Sequence, residues 1–536
     1  MNLVDATGRA IDARDIARVR ARAALSGVNP SPWPYDSQVP FSQEMGAWLP
    51  TLRSPDSEIN YDRDRDRAVA RARDLIRNDG WAQGSVNRIL DAAVGATFHP
   101  VAQPNIRVLQ RLCPAMDATW AAEFGAAVAG EWRMWADDPA RHCDAERQLT
   151  VTQMFRLALR HKLIDGDALG VLVWAPERAG RYATTLQIVD PDRLSNPNQM
   201  MDTHARRGGV QVDDLGAPTG YHIRRAHQND WYDASLSLIW DYLPRETDWG
   251  RPVVVHDFDH ERASQHRGNG LLTAVLSRFK LLNKFDSVTL QAAVLRTLVG
   301  FFLRSPYDAQ QIEQSWYQGL RDAYHDTHAV TMGGVRMPAL APGESIEAVR
   351  GGEHATDFEA FQGAFLRSIA AATGQSTEEI SGDFRQVNYS SFRGAMLQAW
   401  RTLIRRRMDF AAGFATPVFG GWLEEAIETT LADVMPRNAP DFAAHRAAYV
   451  RAQWIGPGKG WVDPVKERQG ELLGLDAGFG SLAQVCAEVS GSYWLDVLDQ
   501  REVEEAEFRR RNLTKPDWAG GNQPPAAQQD VKPQPD

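Results

Sequence analysis

The feature that most constrains this chain is a pair of long helical patterns separated by a short, self-contained segment. From Gly270 to Val299 about 30 residues run without a breaker, which at about 1.5 Å per residue spans roughly 45 Å. Leu272, Val275, Leu276, Phe279 and Leu282 fall on one stripe, and Leu290, Val294 and Leu298 continue it. A second helix is predicted over Asp357 to Ala372. Between them, Phe301-Phe302-Leu303 reads as a strand, Ala309 to Tyr324 as a helix and Ala329 to Met332 as another strand, bounded by Gly300 and Gly351-Gly352. The ends of so compact an insert must lie close together, so it projects from the tip of a helical hairpin. Such a hairpin cannot bury both faces in a lone chain. Identical neighbours packed side by side around a closed ring would cover it.

The remainder is mixed. Residues 1–54 begin with an Arg-rich amphipathic stretch and become Pro- and Ser-rich at Asn29 to Pro34, which reads as an extended arm. Tyr61 to Val94 is predicted as two helices broken at Asp79-Gly80, and the alternating charges of residues 62–67 read as a solvated or inter-subunit face. Helices are predicted over Ala121 to Trp135 and Val151 to Leu163. Strands follow at Ala168 to Trp174, Thr184 to Val189, Gly220 to Arg224 and Val253 to Phe258. Gln375 to Ser391 is polar and joins the second hairpin helix to a long helix over Phe392 to Phe410. Another helix is expected over Trp422 to Leu431, and three helical segments fill 464–512. From Thr514 on the chain is too polar and Pro-rich to pack. An α+β fold of several compact units follows.

With 536 residues and 43% hydrophobic content the chain can build real cores. Cys113, Cys143 and Cys486 are too few and too scattered for a disulfide framework or a four-thiolate zinc site, which implies a reducing compartment. The N-terminal stretch lacks the apolar core of a secretory signal. Arg278, Lys280, Lys284, Asp286 and Arg296 interrupt the most apolar helix, so no membrane span is expected. The net charge of −10 argues against gripping nucleic acid over most of the surface.

Three clusters could carry chemistry. His256-Asp257-Phe258-Asp259-His260 sets four metal-ligating side chains within five residues and suggests a metal-dependent phosphoesterase as an alternative function. If that stretch is a strand, the imidazoles and the carboxylates point to opposite faces and cannot converge. His161, Asp165 and Asp167 flank a turn where carboxylates could do acid/base work, although Asp-Gly turns have a structural reason of their own. Gly456 to Gly460 lacks the spacing of a phosphate loop. No nucleophile, zinc-protease or dinucleotide motif is found, and no cofactor is implied.

Several segments, in this order, resemble the portal proteins of tailed bacteriophages, of the lambda-like type. They are Arg71 to Asn78 with Val94-Gly95 downstream, Leu186 to Leu194, His256 and Phe258 ahead of Gln265, Arg267 and Gly268, then Asp383 with Tyr389-Ser390-Ser391 and Arg393, and finally Asp463-Pro464 with Lys466-Glu467. The resemblance implies a structural protein and not an enzyme. It forms a dodecameric ring at a capsid vertex of the virion, assembled in the host cytoplasm, through which double-stranded DNA is packaged and ejected. On this chain it implies an arm at 1–54, a wing at 55–269, stem helices at 270–300 and 353–374 and a clip at 301–352. A tunnel loop follows at 375–391, then a long wing helix with its return at 392–462, a crown at 463–512 and a disordered tail at 513–536. Arg385, Gln386 and Asn388 are the candidate DNA-facing residues of the loop. Tyr307, Asp308, Arg321 and His325 are those of the clip, where the terminase large subunit and a head-completion protein would dock. Major capsid or scaffold proteins would surround the ring. Arg401, Arg405, Arg406 and Arg407 could approach DNA, but on a long helix are more often paired with carboxylates of a neighbour. Twelve such chains would carry a charge of about −120, which favours sliding of the duplex over sticking.

Overall fold

The computed structural model describes residues 53–60, 64–178, 180–228, 230–297, 301–304, 330–332, 335–337, 345–348, 358–385, 389–459 and 464–513. The chain divides into a unit of Met1–Glu58, of which 53–58 are described and enter a short helix (Pro55–Asn60), and a unit of Ile59–Asp536. Everything below concerns the second.

It opens with α1 (Asp64–Asn78) and α2 (Gly80–Ala93), separated by Asp79, whose carboxylate accepts from the Ala82 amide and caps α2. After β1 (His99–Ala102) come α3 (Ala118–Ala136) and α4 (Val151–Asp165), the latter opened by a Thr150/Gln153 capping box. At the end of α4, Gly166 adopts φ +95°, and a Cβ there would lie 2.4 Å from the Gly268 carbonyl oxygen. Only glycine can close this turn.

Two antiparallel sheets follow. The first has the order β3-β2-β8 and is made of β2 (Asp167–Trp174), β3 (Thr184–Ile188) and β8 (Val254–Phe258). The second is a meander of β4 (Arg206–Arg207), β5 (Val210–Val212), β6 (Pro218–Arg224) and β7 (Trp240–Pro244). Leu169, Val171, Val189, Leu194, Val210, Val212, Tyr221, Ile223 and Val254 form one apolar cluster shared by the two sheets.

The helix expected from Gly270 begins later than predicted. Residues 273–275 form a 3₁₀ turn, and α5 runs over Leu276–Thr297, 22 residues or roughly 33 Å. The delay has a physical cause: the Leu271 amide donates to Leu163 O at 2.8 Å, and Gly270 packs against the Ile164 carbonyl, so this stretch is tied to the end of α4. In the insert, β9 (Phe301–Arg304) pairs antiparallel with β12 (Ser345–Ala348), and β10 (Val330–Met332) with β11 (Val335–Met337). Pairing of Phe301 with Ala348 brings the two ends of the insert side by side. The helix expected at 309–324 lies outside the described residues. The helix expected after the insert is α6 (Phe358–Thr373).

Beyond it lie α7 (Thr377–Ser381) and α8 (Tyr389–Phe410), which passes through a π-helical stretch (Ala411–Ala415) into α9 (Thr416–Glu428). The helix expected only from Trp422 is thus a continuation of the long one, carried across a bulge that sequence periodicity does not reveal. β13 (Ala452–Ile455) returns to pair with β1. Phe98, Phe155, Phe410, Phe414, Trp132, Phe419, Trp422 and Trp454 form a network of ring contacts that locks α8–α9 into the wing. The last described residues hold α10 (Pro464–Asp476), a short helix with a π-turn (Leu482–Ser490) and α11 (Trp494–Arg510).

Within the charged run at the start of α1, Asp66 and Arg67 are exposed as predicted, but Arg65 departs from the solvated role. Arg65 is buried and donates through Nη2 to Asp167 Oδ2 at 2.7 Å and to Asp165 O at 2.8 Å. Arg267, also buried, gives Nε to the same Asp167 oxygen at 2.7 Å, and its other nitrogens reach the carbonyls of Leu194, Gly208 and Pro191. The Gly268 amide donates to Asp167 Oδ1 at 2.7 Å. Burial would raise the Asp167 pKa, but Arg267 and Arg65 outweigh it and hold the carboxyl far below its usual range. Arg267→Met removes one cation and strands three carbonyls. We expect it to cost about 3–5 kcal/mol in urea unfolding, against less than about 0.5 kcal/mol for a surface change such as Arg511→Met.

Candidate functional site

The segment expected as a polar loop at 375–391 contains a short helix. Ser376 and Glu379 form a capping box that starts α7, and Gly382 at φ +67° ends it, a conformation that side-chain-bearing residues rarely adopt. The Ser-x-x-Glu signal was present in the sequence. Asp383, Phe384 and Arg385 follow, with the Phe384 ring set edge-on to Phe392 at 5.5 Å. Gln386 and Asn388 lie outside the described residues, as do Tyr307, Asp308, Arg321 and His325 of the insert.

Arg385 is 79% exposed yet paired within its own turn. Its Nη2 lies 2.7 Å from Asp383 Oδ2, its Nε 2.9 Å from Oδ1, and its backbone amide donates to Oδ1 at 3.0 Å. These bonds push the Asp383 carboxyl down to about 2 and raise the Arg385 guanidinium. Glu359 of α6 stands 3.9 Å away. The described tip of the segment therefore presents a matched ion pair beside a further carboxylate.

The arginines of α8 are mostly engaged within the chain. Arg405 pairs with Asp409 on the same helix at 2.7 Å. Arg406 donates to Thr373 O at 2.7 Å, and burial lowers its pKa. Arg407 donates to Ala93 O and Ala92 O at the end of α2 and to Pro457 O, and burial brings it down to about 10. Arg401 is exposed.

The clusters that suggested catalysis are taken up by internal pairing. On β8, His256 is buried with Nε2 3.3 Å from Asp167 Oδ1, whereas Asp257 accepts from Lys162 at 2.8 Å and Asp259 lies 3.0 Å from the same ammonium. His260 stacks on Phe258. The ligand set of the phosphoesterase alternative does not converge, because strand alternation sends its members to different partners. Elsewhere, His161, Asp165 and Asp190 gather closely enough to hold a cation, but Arg73 sits among them, donating to Asp165 at 2.8 Å, Asp190 at 2.9 Å and Asp192 at 2.7 Å. His161 Nδ1 lies 2.6 Å from Asp165 Oδ2. A guanidinium thus fills the position a metal would take.

A family model described as phage portal protein, lambda family, matches residues 41–407, from ahead of α1 to the last turn of α8. The chain belongs to the lambda family of phage portal proteins. The portal protein of Escherichia phage N15 is 30% identical over 495 residues, 89% of this chain and 91% of that protein. Portal protein B of Escherichia phage lambda is 28% identical over 495 residues, covering 89% and 90% respectively. Among solved structures, a chain from the neck of an empty gene transfer agent particle aligns with a TM-score of 0.45 and 15% identity, covering 67% of this chain and 82% of that one. Portal proteins are structural components of the virion. Among the described residues no helix is long and apolar enough to cross a membrane.

The internal pairs of this portal chain have a consequence for acid stability. Burial would raise the Asp165 pKa, but His161 and Arg73 outweigh it, and Asp167 is likewise lowered. Both carboxyls thus contribute fully above the ordinary carboxylate value of about 3.9, and that contribution is lost as pH falls through their lower folded values. Unfolding free energy is expected to stay flat with respect to these two groups from pH 7 to about 5 and to fall steeply below about pH 4. Asp165→Asn should shallow the acid limb in a pH series of urea melts.

Proposed function

We propose that twelve copies of this chain close into a ring at one capsid vertex, assembled in the host cytoplasm, that conducts double-stranded DNA during packaging and ejection. Residues 55–269 form most of the wing, 270–300 and 353–374 the stem, 301–352 the clip, 375–391 the channel-facing loop, 392–462 the long wing helix with its return, and 463–512 the crown. The clip, with Tyr307, Asp308, Arg321 and His325, docks the terminase large subunit and later a head-completion protein, and capsid or scaffold proteins meet the ring from outside.

The observation that carries this reading, beyond family membership, is how burial is distributed along the stem. Toward the wing, Leu272, Val275, Phe279 and Leu282 of the first limb and Leu366, Ile369 and Ala370 of the second are buried. Toward the clip, Val288 and Leu290 are 54% and 67% exposed and Phe361 is 53% exposed, although Phe285 and Phe361 touch at 5.8 Å. The chain thus covers one half of its own hairpin, and lateral neighbours in a ring supply cover for the other. In the crown, Val465, Leu472, Leu473 and Val503 are likewise exposed.

Electron microscopy of the purified protein tests this directly. A holed ring of about twelve subunits is expected, and Leu290→Glu, which sets a carboxylate on the uncovered face, should shift the protein toward monomers in sedimentation velocity while leaving the far-ultraviolet circular dichroism unchanged. A folded single chain indifferent to concentration overturns the reading.

Within the channel, the Asp383–Arg385 pair gives the loop a surface that meets phosphate without binding it tightly. Arg385 remains the candidate backbone contact, with Gln386 and Asn388 beside it, and carries no base readout. Asp383→Asn frees the guanidinium, so nonspecific duplex binding by the ring should strengthen at low salt, with a steeper dependence on salt concentration. Arg385→Ala should change it less than twofold. Equal effects of the two substitutions would show that the pair does not govern phosphate contact.

A further inference from the structure

We infer that Ser85, Arg88, Gln375 and Arg406 are positioning residues that fix the segment bearing Asp383 and Arg385 to the wing at two successive helix ends. The channel-facing role of that segment rests on the function proposed above; the anchoring itself does not.

A helix leaves its last four carbonyls without intrahelical partners, and a cation placed there is favoured by the helix dipole as well as by hydrogen bonding. Both helix ends that lead to the tip are met in this way. At the end of α6, Thr373 O accepts from Arg406 Nη1 of α8 at 2.7 Å. At the end of α7, Ile380 O accepts from Arg88 Nη1 of α2 at 2.9 Å. Between these two points, buried Gln375 and buried Ser85 of α2 bond reciprocally: the Ser85 hydroxyl donates to Gln375 Oε1, and Gln375 Nε2 donates to Ser85 O at 3.2 Å.

These contacts do more than decorate a stable helix. Five residues are too few for a helix to persist alone, so α7 depends on its capping box and on what holds it from outside. Gly382 sits directly over Arg88, whose Nη2 lies 3.9 Å from where a Cβ would be, so the guanidinium lies at the point where the chain leaves α7 for the tip. Past Gly382 the pattern changes: the Asp383–Arg385 hydrogen bonds are local to the turn, and among the described residues the contacts beyond it are the Phe384–Phe392 ring pair with α8 and Glu359 of α6 at 3.9 Å. The elements that supply the anchors are themselves joined, because Arg407 of α8 bonds the last carbonyls of α2. The place of the exposed ion pair is therefore referenced to the α2–α8 body through the donors at 88 and 406 and the 85–375 pair.

Trypsin cleavage after Arg385, followed by mass spectrometry on the assembled full-length protein, reads the anchoring without reference to DNA. Cleavage after Arg511, on the exposed end of the crown, is the internal control. Arg88→Met, which keeps the aliphatic stem and removes the donor, is expected to accelerate cleavage after Arg385 at least fivefold. The control site and the thermal midpoint should not change, and Arg88→Lys should restore much of the protection. Arg406→Met and Ser85→Ala should act in the same direction. Because Arg406 and Ser85 are inside the fold and their variants can destabilise it, amide hydrogen exchange over 376–385 in Arg88→Met provides a second measurement, with faster exchange expected. Unchanged cleavage and unchanged exchange in Arg88→Met overturn the inference. DNA retention in filled particles separates it from the proposed function: a loosened segment with normal packaging and retention sustains the anchoring while counting against the channel-facing role.

Discussion

One carboxylate organises the two sheets and the helices beside them. Asp167 stands at the first residue of β2, fully buried, and draws on α1 through Arg65 and on the approach to the stem through Arg267 and the Gly268 amide. Taking an unpaired carboxylate out of water is prohibitive, so the charge is admissible only where cations and amides converge on it. That requirement reaches far along the chain. Arg267 spends its remaining donors on the carbonyls of Pro191, Leu194 and Gly208, which tie the four-stranded meander to the same point. Gly166 and Gly268 then meet backbone to backbone, and the chain leads from this junction to α5. Helix, two sheets and the approach to α5 thus share one electrostatic centre, which apolar packing alone would leave free to slide.

A second organising contact is aromatic. The rings of Phe98, Phe155, Trp132, Trp422 and Trp454 hold α8–α9 against α3, α4 and β1, and Arg407 pins α8 to the end of α2. This makes the long helix a fixed reference from which the segment after α6 is suspended. The hairpin of α5 and α6 has the opposite character. Near Phe279 and Ile369 it is packed by the chain itself, whereas Val288, Leu290 and Phe361 are exposed apolar side chains, the surface on which the proposed lateral assembly rests.

Much of this was legible from residue pattern. Helical periodicity located α1 to α4, α6 and α8 to within a few residues, because most of their apolar positions face cores within the same chain. The Asp79 cap and the Gly166 turn follow from local chemistry that tertiary packing did not override. Strand alternation already indicated that His256 and Asp257 diverge. Other features had no local signal. Helix α5 starts at Leu276 because Gly270 and Leu271 dock on the end of α4, a contact between segments about a hundred residues apart in sequence. The π-helical stretch at 411–415 keeps the hydrophobic pattern while changing the winding. Arg65 looked solvated like its exposed neighbours Asp66 and Arg67 because its partners, Asp165 O and the Asp167 carboxylate, lie far along the chain.

The sequence by itself determined the class and order of most described elements and pointed to the family, since these depend on periodicity, turn chemistry and the spacing of short motifs. Only the tertiary structure decided which charges are buried and which are spent. Arg73 and Arg267 became internal cations, Arg385 was matched by Asp383 in its own turn, and Arg406 and Arg407 were turned onto carbonyls of neighbouring helices. The physical reason is that a charge has no preferred direction along a sequence: its partner is set by distance and solvent exposure, which exist only after the chain has folded.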